Sequence, residues 1–124
     1  MKLLIRGTAI SQDDVIHWAS HGDRLRDADW IRDIAATIIE WYNDKDDISI
    51  QTSGSTGAPK QIKLSKAAME ASAHKTAERF GLYSGMTTLH CLPSRYIAGK
   101  MMTIRALVLD LDQICIRPKL TLTI

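Results

Sequence analysis

Segments with the two-residue apolar period of a strand alternate with segments of helical period along most of this 124-residue chain, and that alternation restricts the fold more than any other feature. Leu3, Leu4 and Ile5 read as a short strand. Residues 48–52 alternate as Ile48-Ser49-Ile50-Gln51-Thr52, and residues 61–64 alternate again. Residues 87–92 read as a buried strand stopped by Pro93, and residues 113–116 as another short one. Between them, Ile31, Ile34, Ala35, Ile38, Ile39 and Tyr42 follow the i, i+3, i+4, i+7 rule of an amphipathic helix over residues 30–42. Trp30 and Trp41 widen its apolar face and read as core anchors. Ser65 offers a cap to a helix whose face carries Met69, Ala73, Thr76, Ala77 and Phe80, with Gly81 where a left-handed C-terminal residue belongs. Residues 97–109 read as a largely buried helix. The pattern predicts an α/β fold, a single unit over residues 1–124 with a mostly parallel sheet, flanking helices and right-handed crossovers.

Near the start, Ser11 with Asp14 three residues on has the pairing of a capping box, and Ile10 with Val15 fits a hydrophobic staple. The helix they open is expected to end at Gly22. His17 and His21 lie i,i+4 on it, a spacing that can bind a metal. No third ligand is offered nearby, so two solvated histidines are expected and no metal site is assigned. The aspartates of Asn43-Asp44-Lys45-Asp46-Asp47 lack the glycine and terminal glutamate of a calcium loop and read as a solvated turn.

Composition narrows the classes of function. Sixteen Lys and Arg against fourteen Asp and Glu leave a net charge of +2, too small to point to nucleic acid or an anionic membrane as the main partner. The two cysteines, Cys91 and Cys115, have no ligand-like spacing and suggest neither a disulfide framework nor zinc. The N-terminus lacks the apolar run of a signal peptide, and no segment approaches the roughly 20 apolar residues of a membrane span. A cytoplasmic protein with reduced thiols is the expectation.

Anion chemistry must then be local, and one stretch offers it: Thr52-Ser53-Gly54-Ser55-Thr56-Gly57-Ala58-Pro59-Lys60. Hydroxyls can donate to phosphate oxygens, Gly54 and Gly57 allow close backbone approach, and successive N–H groups can converge into an anion-binding nest. Lys60 supplies a point charge, and Pro59 stiffens the exit just before it. The stretch fails the Walker pattern, because Pro59 stands where the second glycine should be, and it fails the dinucleotide fingerprint. A glycine and serine linker is the bland alternative. The ordered Pro59-Lys60 exit and the flanking strands argue against it.

The run resembles the phosphate-binding signature T-S-G-[ST]-T-G-x-P-K of the adenylate-forming enzymes, the superfamily of acyl- and aryl-CoA ligases, at nine consecutive positions. One departure lies at its edge, where Gln61 stands in place of a frequent glycine. Downstream, Pro93 and Gly99 match a looser family pattern. There Arg95 falls at the usual aromatic and Tyr96 at the usual histidine, so the family's role for that pair does not transfer. Arg95 could form a bidentate fork with a substrate carboxylate, or be a surface arginine beside a packing tyrosine. The short region before the loop and the Arg-Tyr variant most resemble the o-succinylbenzoate:CoA ligase branch of menaquinone biosynthesis.

The resemblance implies a phosphate-binding part of the N-terminal domain of an acid:CoA ligase. It further implies ATP, Mg2+ and coenzyme A as cofactors, with Thr52, Ser53, Gly54, Ser55, Thr56, Gly57 and Lys60 binding nucleotide. Arg95, Tyr96 and Gly99 become candidates for the substrate side. The implied partners are a small-molecule carboxylic acid and the C-terminal part of the ligase. The later motifs of the family, for adenine, ribose and the mobile catalytic lysine, are not found, and no catalytic side chain is assigned. An N-terminal fragment inactive by itself is therefore expected, with association into a dimer or larger through apolar surface left uncovered. The competing reading is an inactive stand-alone binding or assembly module with the same fold.

Overall fold

The computed structural model describes residues 1–21, 28–51, 58 and 60–118. In chain order the elements are β1 (Lys2–Ile5), β2 (Thr8–Ser11), α1 (Gln12–His21), α2 (Asp29–Tyr42), β3 (Asp47–Gln51), β4 (Gln61–Ser65), α3 (Lys66–Phe80), β5 (Thr87–His90), α4 (Ile97–Leu109) and β6 (Asp112–Cys115). Four strands form one sheet in the order β2-β1-β6-β5, in which β1 and β5 both run parallel to β6 and only β2 is antiparallel. The mostly parallel α/β sheet expected from the sequence is this one. The strands that flank the glycine-rich run stand apart from it as an antiparallel hairpin, β3-β4, in which Gln51 faces Gln61.

β2 is an element the sequence did not announce. Arg6 (φ 50°) and Gly7 (φ 77°) take consecutive left-handed conformations, the geometry of a two-residue hairpin turn whose twist suits antiparallel strands. Thr8 to Ser11 therefore fold back on β1 before α1 begins. Ser11 still performs near the predicted start, where its Oγ donates to Asp14 Oδ2 at 3.0 Å. Strand ends differ by a residue or two from expectation: β5 stops at His90, well before Pro93, and β6 runs from Asp112 to Cys115.

Two apolar clusters account for the arrangement. Leu3, Ile5, Ile10 and Cys115 on one face of the four-stranded sheet meet Val15 and Ala19 of α1, Ile31, Ile34 and Ile38 of α2, and Leu107 of α4. The second cluster joins Ile48 and Ile50 of the hairpin to Met69 of α3 and to Met101 and Ile104 of α4. Trp41 packs against both clusters, which gives it the anchoring role read from the sequence. The opposite face of the four-stranded sheet carries no helix among the described residues. There Leu4, Ile114 and Leu89 lie side by side across three strands, and Leu89 is 52% exposed.

α3 shows where periodicity overreached. Only Met69 and Ala73 are buried, a single i,i+4 stripe, and Phe80 lies beyond it, 69% exposed. Its ends follow expectation: Ser65 Oγ accepts from the Ala68 N–H at 3.0 Å, and Gly81 is left-handed at φ 68° with its N–H on the Ala77 carbonyl. No helix of the described residues is long and apolar enough to cross a membrane. Replacing Ser65→Ala removes the cap, and the urea midpoint should fall by the equivalent of about 1 kcal/mol. An unchanged midpoint would show that the cap contributes nothing.

Candidate functional site

Strand β3 delivers the chain to the glycine-rich run and β4 receives it, so whatever fixes these two strands fixes the run's ends. Burial of Ile48 and Ile50, 0% and 1% exposed, holds β3 from one side. Its alternate residues, Ser49 and Gln51, face a cavity of about 220 Å³ together with Gln61 of β4. Asp33 and Ala36 of α2 line a further wall, and Ser94, Arg95 and Lys100 close it from the start of α4. A parallel bridge between Gln51 and Tyr96 ties the end of β3 to the residue that caps α4.

The predicted nucleotide-binding residues Thr52, Ser53, Gly54, Ser55, Thr56 and Gly57 lie outside the described residues, as does Pro59. Lys60 is exposed immediately ahead of β4. The three substrate-side candidates come together by sequence and by space. Arg95 is exposed on the cavity rim, and Tyr96 is half-buried in its bridge to Gln51. Gly99 is buried for a reason of packing. A Cβ there would run into the Pro93 carbonyl group and lie 2.8 Å from Ser94 Cα, so only glycine lets α4 start this close to the turn that presents Arg95. Its close approach packs the start of α4 against that turn.

Three residues of this region were not legible as site residues. Lys100 Nζ donates to Glu40 Oε1 at 3.2 Å from within the first turn of α4, where a cation opposes the helix dipole and calls for a carboxylate. That unfavourable placement in a mostly apolar helix was the available signal. The third is His90, the last residue of β5 and 1% exposed. Ser94 Oγ lies 3.3 Å from its Nε2 and Thr103 Oγ1 3.5 Å from its Nδ1. A neutral imidazole has one donor and one acceptor nitrogen, and a hydroxyl can serve either. Burial pushes the His90 pKa down to about 4, only partly offset by a hydrogen bond with the Leu92 backbone. His90 thus buttresses Ser94 from beneath the cavity as an uncharged group.

The other candidates weighed in the sequence gather no chemistry. His17 and His21 stack with ring centroids 4.5 Å apart, both exposed. Among the described residues no three His, Cys, Asp or Glu side chains come together to hold a metal. Lys66 Nζ donates to Asn43 Oδ1 at 2.7 Å and pins the acidic turn to α3, a structural contact. Cys91 is exposed, whereas burial pushes the Cys115 thiol up to about 12.

Comparison with known proteins places this geometry in a fold. No family model and no curated protein matches the chain. A solved structure does, that of an acyl-CoA synthetase (AMP-forming)/AMP-acid ligase II-like protein from Dyadobacter fermentans DSM 18053, with a TM-score of 0.72 and 32% identity. The match covers 82% of this chain and 29% of that protein, so the chain spans under a third of its length. The α/β unit described above therefore has the fold of a segment of an AMP-forming acyl-CoA synthetase.

Two outcomes follow from the site's support. Gly99→Ala should destabilise the fold by about 1–3 kcal/mol through overpacking, read as a fall in the urea midpoint. His90 binds its proton more weakly when folded than when unfolded, so its contribution is complete above pH 6.5 and is lost as the pH falls toward 4. Stability should drop by about 3 kcal/mol over that window, with the pKa lowered from 6.5 to about 4. A His90→Gln variant should show a flatter pH dependence there, and an unchanged slope would exclude His90 as its source.

Proposed function

We propose that the chain is the ATP-phosphate-binding part of an AMP-forming acid:CoA ligase and belongs to the adenylate-forming superfamily. The observation that carries this reading is a coincidence of motif and fold. The run from Thr52 to Lys60 has the family's phosphate-binding sequence, and it lies between paired strands of a chain with the fold of an acyl-CoA synthetase segment.

On this reading a carboxylate oxygen attacks the α-phosphorus of ATP, the bond to the bridging oxygen breaks, and pyrophosphate leaves. The thiol of coenzyme A then attacks the acyl carbon, and AMP departs. The chain's part is electrostatic: hydroxyl and N–H donors of the run and the Lys60 ammonium hold the β- and γ-phosphates and stabilise the charge gathering on the leaving group. Magnesium would arrive on the phosphates of ATP and neutralise part of their charge. No side chain of this chain serves as nucleophile.

The acid itself is assigned from Arg95. Its guanidinium stands at the cavity rim with no partner among the described residues, able to take a carboxylate that is not being activated. That geometry suits a dicarboxylate or aryl acid, and o-succinylbenzoate is the substrate we propose, in a cytoplasmic ligase of menaquinone biosynthesis. The remainder of such a ligase supplies adenine, ribose and thiol contacts. The open apolar row Leu4, Ile114 and Leu89 is the surface on which the chain, alone, would self-associate.

Titration of the chain with magnesium-ATP tests the reading. Binding is expected, and Lys60→Ala should weaken it by about ten- to a hundredfold, the effect of losing one charged hydrogen bond. Absence of binding together with silence of Lys60→Ala would favour an inactive module that kept the fold.

A further inference from the structure

The two cations that border the cavity are not equivalent. Arg95 is exposed, whereas Lys100 is 12% exposed and its ammonium is engaged by Glu40, itself 27% exposed. The same Glu40 carboxylate does a second thing: its Oε2 accepts the Ser49 N–H of β3 at 3.3 Å. Ser49 pairs with Lys63 of β4 in the hairpin, so this hydrogen bond is made at the strand's outer edge, which the hairpin does not cover. Two residues further along, the same edge is held by the bridge from Gln51 to Tyr96. A single carboxylate on α2 therefore grips the strand that enters the glycine-rich run with one oxygen and the first turn of α4 with the other.

We infer that Glu40 is a positioning residue that sets the entry strand of the phosphate loop against the start of α4, with Lys100 as its structural counter-ion and not a ligand of substrate. The strand clamp stands on geometry alone; its consequence for nucleotide rests on the reading of the loop proposed above. Charge is needed at the Lys100 contact, where the carboxylate satisfies a cation that the helix dipole disfavours, whereas the Ser49 N–H needs only an acceptor oxygen. Removing Glu40 would leave a largely buried ammonium and an edge N–H unpaired while the hydrophobic support from Ile48 and Ile50 remains. The expected result is displacement of the loop entrance within a chain that stays folded.

Three variants, Glu40→Ala, Glu40→Gln and Lys100→Arg, separate these roles in two measurements on the chain. Amide hydrogen exchange read by NMR should quicken about tenfold at Ser49 in Glu40→Ala while Leu3 and Ile38, in the other cluster, keep their rates. Glu40→Gln keeps an oxygen for the Ser49 N–H and should protect it, and Lys100→Arg should behave as the parent. Unchanged exchange at Ser49, or a rise spread evenly over all amides, would overturn the clamp. In a chain that binds magnesium-ATP, Glu40→Ala should weaken binding by about tenfold and Lys100→Arg should not, as expected for residues coupled to a site without touching its ligand. Equal affinity of Glu40→Ala and the parent would overturn the nucleotide part. If the unsubstituted chain binds no magnesium-ATP, the loop reading fails, and the exchange measurement decides the clamp by itself.

Discussion

Burial of Ile48 and Ile50 is the constraint on which the rest of this structure depends. Among the described residues the hairpin they belong to pairs with neither edge of the four-stranded sheet, so no ladder of hydrogen bonds joins the two there. It is held by apolar contact with Met69, Met101 and Ile104, and Trp41 joins that contact to the larger core. A two-stranded hairpin by itself is marginal in water, and packing against helices is what makes it a fixed element. Everything near the candidate site inherits its position from that packing: Ser49 and Gln51 point to the cavity because Ile48 and Ile50 point away from it.

Polar groups then refine what the hydrophobic contacts place. Glu40, Lys100, Ser94 and His90 are spread over α2, α4, β5 and the turn between them, yet Lys100 and Ser94 line one cavity and Glu40 and His90 each hydrogen-bond one of those two. Packing alone would tolerate a sliding hairpin, whereas directional contacts select one register. The close approach of Gly99 to Pro93 works in the same direction, since it fixes how the turn carrying Arg95 enters α4.

Local signals were the legible part of the sequence. The helical period over α2, the serine cap and glycine stop of α3 and the alternation in β3 and β4 each rest on a few neighbouring residues, and each appears where the chain said it should. β2 escaped because it buries only Ile10 and because its turn uses an arginine at positive φ, which no turn signature advertises. Phe80 looked buried by period, but period tells which face a residue lies on and not how far along the helix the neighbours reach. The site divides the same way. The glycine-rich run was readable as a contiguous motif, and Arg95, Tyr96 and Gly99 as a cluster beside a proline. The pairing of Glu40 with Lys100 joins residues on two helices distant in sequence, and only folding brings such partners together.

The middle of the main sheet has a consequence for how the chain is made. β1 takes as its parallel neighbour β6, the two strands farthest apart along the described residues, so β1 leaves the ribosome well ahead of its partner. Until β6 emerges, the young chain can form the β1-β2 hairpin and its helices but cannot close the sheet, because the central strand does not yet exist. Synthesis proceeds at about 5–20 residues per second, so the apolar strand Leu3 to Ile5 waits for seconds, exposed to any other chain or chaperone within reach. Contacts so distant in sequence also slow closure once the last strand is present. The order of translation thus makes β1 wait for β6, and the arrival of β6 is what lets this sheet close.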